Sequence, residues 1–224
     1  MKLNWYQVGA LAATGVMVVA GKQWFRTASV EELGWLLAPT AKCTGVLVRA
    51  PFVHETGIGY ANHALDFVIA PVCAGLNFLL AAVLALMLGW LPGLQSWTAT
   101  AKRLASAVAL AYVATIIVNT LRITLSIELH AVGELHRLLG IAVYLGGLCA
   151  VYAIATKRNV LPAIGAYLAI TLALPLIHGA ATRTSFSIHA VCVLAICIVV
   201  AAIAWIANNR NAQGVPPNPL EGKP

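Results

Sequence analysis

The stretch Pro71-Val72-Cys73-Ala74-Gly75-Leu76-Asn77 opens an apolar run that continues to Trp90 without a charged side chain. The run has the roughly twenty residues a helix needs to cross a bilayer. Proline is tolerated in the first turn of a helix, where its missing N–H would have no partner anyway. The pattern therefore predicts that a spanning helix begins here, with Cys73 at its start and near an interface. Unpaired amides and the dipole at a helix start favour a thiolate. Cys73 and Asn77, one turn apart, would share a face. A cysteine in an apolar helix is more often a small, inert core residue, so Cys73 acquires meaning only through partners elsewhere in the chain.

Composition sets the class. The chain has 224 residues, 61% of them hydrophobic and 9% charged, with a mean hydropathy of +0.87. No soluble domain of this size hides so much apolar surface, so the composition is that of an integral membrane protein. The net charge of +7 is scattered between apolar runs. Charge placed in that way sets membrane orientation and makes no phosphate-binding stripe, which excludes a nucleic-acid partner. The five cysteines, Cys43, Cys73, Cys149, Cys192 and Cys197, include no C-x-x-C pair. Neither a metal site nor a disulfide framework is indicated, and no cofactor is expected. The apolar start, Met1 to Ala20, is like a signal peptide. With so many later spans it reads as an uncleaved first helix.

The expected fold is all-α: a polytopic membrane protein of about six helices, near 3–21, 66–90, 104–123, 135–156, 160–179 and 187–207. Residues 1–207 form one transmembrane domain, and 208–224, with Pro-Pro-Asn-Pro, form a disordered cytoplasmic tail. Lys2, Lys102, Arg103, Lys157, Arg158, Arg210 and Lys223 fall on one side, which the positive-inside rule makes cytoplasmic. Both termini then lie there. The 22–65 segment faces out, although it holds Lys22, Arg26, Lys42 and Arg49. Its apolar Leu33–Pro39 is too short to cross and is expected to lie in the interface or re-enter.

Ionisable residues in spans are expensive, about 2.5–3.5 kcal/mol for an arginine at a helix centre. Asn119 and Arg122 close the third span at i, i+3 on one face. Arg122 either snorkels to the interface or meets a local anionic partner. Glu134-Leu135-His136-Arg137 opens the fourth span, where His136 shares a face with Gly140 and Tyr144. The small residue would let another helix approach the imidazole. His54 and His130 read as exposed loop residues, and His178 and His189 flank the last outer turn. The span order brings Cys73, Arg122 and His136 to one membrane face. A thiol, a guanidinium and an imidazole together suit cysteine acyl transfer. Cys73 would attack a peptide carbonyl, His136 would act as general base and acid, and Arg122 would hold the oxyanion. Asn119 or Asn77 would orient or donate.

These three stretches, Pro71–Asn77, Asn119-Thr120-Leu121-Arg122 and Leu135-His136-Arg137-Leu138-Leu139-Gly140, resemble the signature regions of the exosortase/archaeosortase family. The upstream Leu37–Ala41 and Phe52–Tyr60 resemble the exosortase K branch, so the likeness covers roughly residues 35–150. The resemblance implies a membrane cysteine protease or transpeptidase with Cys73 as nucleophile, Arg122 as transition-state stabiliser and His136 as third member. Gly75, Asn77 and Asn119 would be supporting or substrate-binding residues. It further implies substrate proteins with a C-terminal transmembrane sorting signal, an amine or lipid-linked acceptor, and a bacterial inner membrane with the site on its outer face. The chain is short for the family. Archaeal relatives carry arginine at the third position, which leaves Arg137 as the alternative to His136; neighbours on a helix diverge by about 100°.

Other readings remain. Two of His130, His136, His178 and His189 could hold a haem in a binding or transport subunit. A purely hydrolytic intramembrane protease would share the first half-reaction. In a structural membrane protein, Cys73, Arg122 and His136 would be unrelated.

Overall fold

The computed structural model describes residues 3–177, 179 and 184–213. The first helix, α1 (Trp5–Phe25), starts on a reciprocal cap between Asn4 and Gln7. The same two side chains reach the far end of the central helix: Asn4 Nδ2 donates to the Leu94 carbonyl (3.0 Å) and Gln7 Nε2 to that of Leu91 (3.1 Å). The central helix is α3 (Leu76–Trp90), apolar on every face and buried along most of its length, as a helix without a polar stripe must be. It packs against α1, α4 (Trp97–Glu128), α5 (Gly133–Thr156) and α6 (Leu161–Leu168). Because α1 is fastened at the C-terminal end of α3, its own C-terminus arrives at the start of α3.

Among the described residues, five helices are long and apolar enough to cross a membrane: Trp5–Phe25, Pro71–Gly93, Trp97–Glu128, Gly133–Thr156 and Phe186–Ile206. The predicted fifth span is a shorter apolar helix, Leu161–Ile177, made of α6, a π-helical turn (Ala169–Ala173) and α7 (Leu174–Ile177). Leu161 lies beside Leu88 at one end of the bundle, and Thr171 and Pro175 reach the Cys73 end. The last helix, α8 (Thr184–Gln213), starts at the Cys73 end and runs away from it. Its outward residues Val191, Ile198, Val199 and Ile203 are apolar and exposed, a surface suited to lipid rather than water. This helix continues to Gln213, past the predicted start of a disordered tail at 208; residues 214–224 lie outside those described. At 32 residues, α4 is about 48 Å long, more than the roughly 30 Å of a hydrocarbon core. It overruns the predicted span 104–123 at both ends.

The chain is a mostly helical membrane protein, as expected, with one small sheet added to the bundle. Between the first two spans lie α2 (Gly34–Leu47) and an antiparallel meander of β1 (Val53–Glu55), β2 (Gly59–Asn62) and β3 (Phe67–Ile69). The second span therefore does not begin at 66. Phe67-Val68-Ile69 pairs with Tyr60-Ala61-Asn62 instead, Ile69 facing Tyr60. Gly59 opens β2 at φ +138°, and a Cβ there would stand 2.4 Å from the Ile69 carbonyl oxygen, so only glycine fits. Helix α2 buries Leu36, Leu37 and Ala41 and lies on α4, with Trp35 stacked on Tyr112 (5.7 Å) and the Tyr112 hydroxyl donating to the Trp35 carbonyl (3.0 Å). From β3 the chain passes directly into a 3₁₀ turn, Pro71–Cys73.

Candidate functional site

Cys73 ends the 3₁₀ turn and does not stand in the first turn of α3. Gly75, left-handed at φ +78°, separates the two, so Cys73 and Asn77 do not share a helix face. A side chain at 75 would be strained there, and its Cβ would also meet Thr115 Cγ2 at 3.0 Å and Asn119 Cγ at 3.2 Å. Glycine thus lets the buried Asn119 carboxamide press against the turn. Within the turn, the Cys73 amide bonds to the Ala70 carbonyl. The Cys73 carbonyl accepts from Asn119 Nδ2 at 2.6 Å.

Arg122 lies one turn beyond Asn119 on α4. Its Nη1 donates to the Tyr144 hydroxyl (3.3 Å), and its Nη2 lies 3.0 Å from His136 Nε2. The guanidinium lines the same cavity as Cys73 and stacks over the Tyr144 ring at 5.2 Å. The Tyr144 hydroxyl in turn donates to Asn119 Oδ1 at 2.6 Å. Arg122 can come so close to α5 because residue 140 is glycine; a Cβ there would lie 3.1 Å from Nε. That Nε is buried and has no hydrogen-bond partner among the described residues.

The structure thus brings Cys73, Arg122, His136, Asn119 and Gly75 together at one end of the bundle. Asn77 lines the same cavity of about 590 Å³, but its Oδ1 is taken by Lys22 of α1. Arg137 borders the cavity too, although its guanidinium pairs with Glu134 at 2.9 Å. Of the other histidines, His189 borders the cavity. His130 instead caps the end of α4 through the Ile127 carbonyl (2.8 Å). His54 packs edge-on against Tyr60, and His178 lies outside the described residues. Among the described residues no group of three His, Cys, Asp or Glu is placed to hold a metal.

Hydrogen-bond chemistry constrains the protons. Arginine only donates, so His136 Nε2 facing it offers its lone pair and the imidazole proton sits on Nδ1. No hydrogen bond joins Cys73 to His136 among the described residues; Arg122 is hydrogen-bonded to the imidazole, and all three line the cavity.

Reading the sequence missed two members of this group. Lys22 is a lone charge in the last turn of α1, a signal that was present in the chain. The hydroxyl of Tyr144 carries no signal beyond its place two turns after His136. No protein-family model, curated protein or solved structure matches the chain.

Proposed function

We propose that the chain is a membrane-embedded cysteine protease or transpeptidase that cleaves C-terminal sorting signals of exported proteins at the outer face of a bacterial cytoplasmic membrane. The reading rests on one observation: Cys73, Arg122 and His136 line one cavity at one end of the helix bundle, with Arg122 Nη2 3.0 Å from His136 Nε2. In this reading Leu161–Ile177 is a sixth crossing, both termini are cytoplasmic and the cavity opens outward. The Lys102–Arg103 and Lys157–Arg158 turns then lie on the cytoplasmic side.

The chemistry follows from the donors at hand. Once free of Arg122, the His136 imidazole takes the Cys73 thiol proton as the sulfur attacks the scissile carbonyl beside the substrate's own membrane helix. The S–C bond forms as the carbonyl oxygen takes up negative charge, which the Arg122 guanidinium balances. The C–N bond then breaks, and His136 gives the leaving nitrogen the proton it took from the thiol. The thioacyl enzyme is resolved by an amine acceptor, with His136 accepting the proton of the attacking nitrogen.

The test is Cys73→Ser and Cys73→Ala in the native host, with candidate tail-anchored proteins followed by immunoblot. Uncleaved substrate should accumulate at unchanged enzyme abundance. Processing at the wild-type rate would remove Cys73 as nucleophile. Added hydroxylamine should release cleaved substrate as a hydroxamate from the wild-type enzyme only.

A further inference from the structure

We propose that Tyr144 is a positioning residue for the Cys73 nucleophile, its hydroxyl being the joint that couples Arg122 to the main chain of Cys73. The inference rests on the cysteine-transfer reading above and adds to it a residue that acts through Arg122 and Asn119.

Four groups form a chain of one polarity. Arg122 Nη1 donates to the Tyr144 hydroxyl, that hydroxyl donates to Asn119 Oδ1 (2.6 Å), and Asn119 Nδ2 donates to the Cys73 carbonyl (2.6 Å). The chain begins at a group that can only donate and ends at one that can only accept. The direction of every bond is therefore fixed, including which way the Asn119 amide points. The second place needs a group that accepts from Arg122 and donates to Asn119 at once, which the Tyr144 hydroxyl does through one atom. The Tyr144 ring is itself held: Phe78 of α3 packs at 5.5 Å, and Arg122 covers its face at 5.2 Å.

Arg122 and Cys73 line the same cavity, so the chain ties the turn that carries the sulfur to the guanidinium beside it. Holding the Cys73 carbonyl through Tyr144 and Asn119 fixes where the turn presents the thiol. Without the hydroxyl, the buried Asn119 Oδ1 loses its donor and the carboxamide is free to reorient.

The experiment measures the pH dependence of Cys73 alkylation by iodoacetamide in full-length enzyme, read by mass spectrometry of the Cys73 peptide. In Tyr144→Phe, which keeps the ring, alkylation at neutral pH should fall by about tenfold or more, and its midpoint should move to higher pH. A ring that served packing alone would move neither. Asn119→Ser breaks the chain one link further on and should reproduce the shift; it decides the matter should Y144F not accumulate. The double variant should be no worse than either single one, as for residues that act as a unit. An unchanged profile in both variants, with a reactive wild-type Cys73, overturns the positioning role and leaves the cysteine-transfer reading standing. A wild-type Cys73 that alkylates no faster than a free thiol overturns both.

Discussion

Arg122 passes helix α5 at Gly140, so closely that a Cβ on residue 140 would stand 3.1 Å from its Nε. Glycine to alanine in a helix interior normally stabilises by about 1 kcal/mol. Gly140→Ala should forfeit that gain and push Arg122 away from His136, lowering substrate processing by about tenfold or more, because small misplacements of catalytic groups are costly. Gly146, on the same helix, has open space where its Cβ would be, so Gly146→Ala should leave processing intact and raise the thermal midpoint. Equal effects at the two positions would show that helix propensity and not Arg122 geometry is being measured.

Gly75 meets two demands, a left-handed backbone and contact with Asn119. Gly75→Ala should therefore cost about 1–2 kcal/mol for the backbone alone and should loosen the Asn119 contact with the Cys73 carbonyl. Thermal unfolding in detergent reads the first effect and Cys73 alkylation reads the second. A variant as stable and as reactive as wild type would contradict both.

His136 and Arg137 are neighbours with different engagements. His136 faces Arg122, and Arg137 is paired with Glu134. His136→Gln should abolish processing through loss of the titrating group. Arg137→Gln removes a largely solvent-screened pair worth about 0–1 kcal/mol and should change processing by less than about threefold. The reverse ranking would assign the third catalytic position to Arg137.

A pH effect is expected outside the membrane. The Glu31 carboxyl accepts from the Gly57 amide at 3.1 Å, tying the β1–β2 turn to the segment before α2. Its own backbone amide, then that of Gly57 and the Ser29 side chain, hold it below the ordinary carboxylate value. A depressed pKa contributes stability above the unfolded value, about 4.3, and that stability is lost as pH falls through the folded pKa. Hydrogen exchange at the Gly57 amide should accelerate in that acidic window beyond its intrinsic pH dependence. Glu31→Gln should abolish the extra acceleration.

Much of the bundle was legible because hydropathy reports burial in a membrane directly. The spans at α1, α4, α5 and α8 could be read from length and apolar content. Phe67-Val68-Ile69 could not, since a short apolar run looks the same in a strand as in a buried helix. The left-handed Gly75 that sets Cys73 apart from α3 left no mark in the periodicity either. Gathering Cys73, Arg122 and His136 at one end required only counting crossings. The partners Lys22–Asn77 and Tyr144–Asn119 are 55 and 25 residues apart, and no local pattern links residues whose meeting depends on how helices rotate about their axes.

The π-helical turn Ala169–Ala173 controls such a rotation. In a regular α-helix, residues spaced by four drift about 40° per step, so Tyr167, Thr171 and Pro175 would fan out around the axis. All three border the cavity, and the wider turn, with one residue more than an α-turn, absorbs part of the drift and keeps them in file. A deletion of a single codon within 169–173 would rewind the turn as an α-turn and leave the residues on either side in phase. The chain can thus vary by one residue here while Tyr167 and Pro175 keep their places on the cavity, because the wider turn takes up a residue that would otherwise swing the rest of the helix through about 100°.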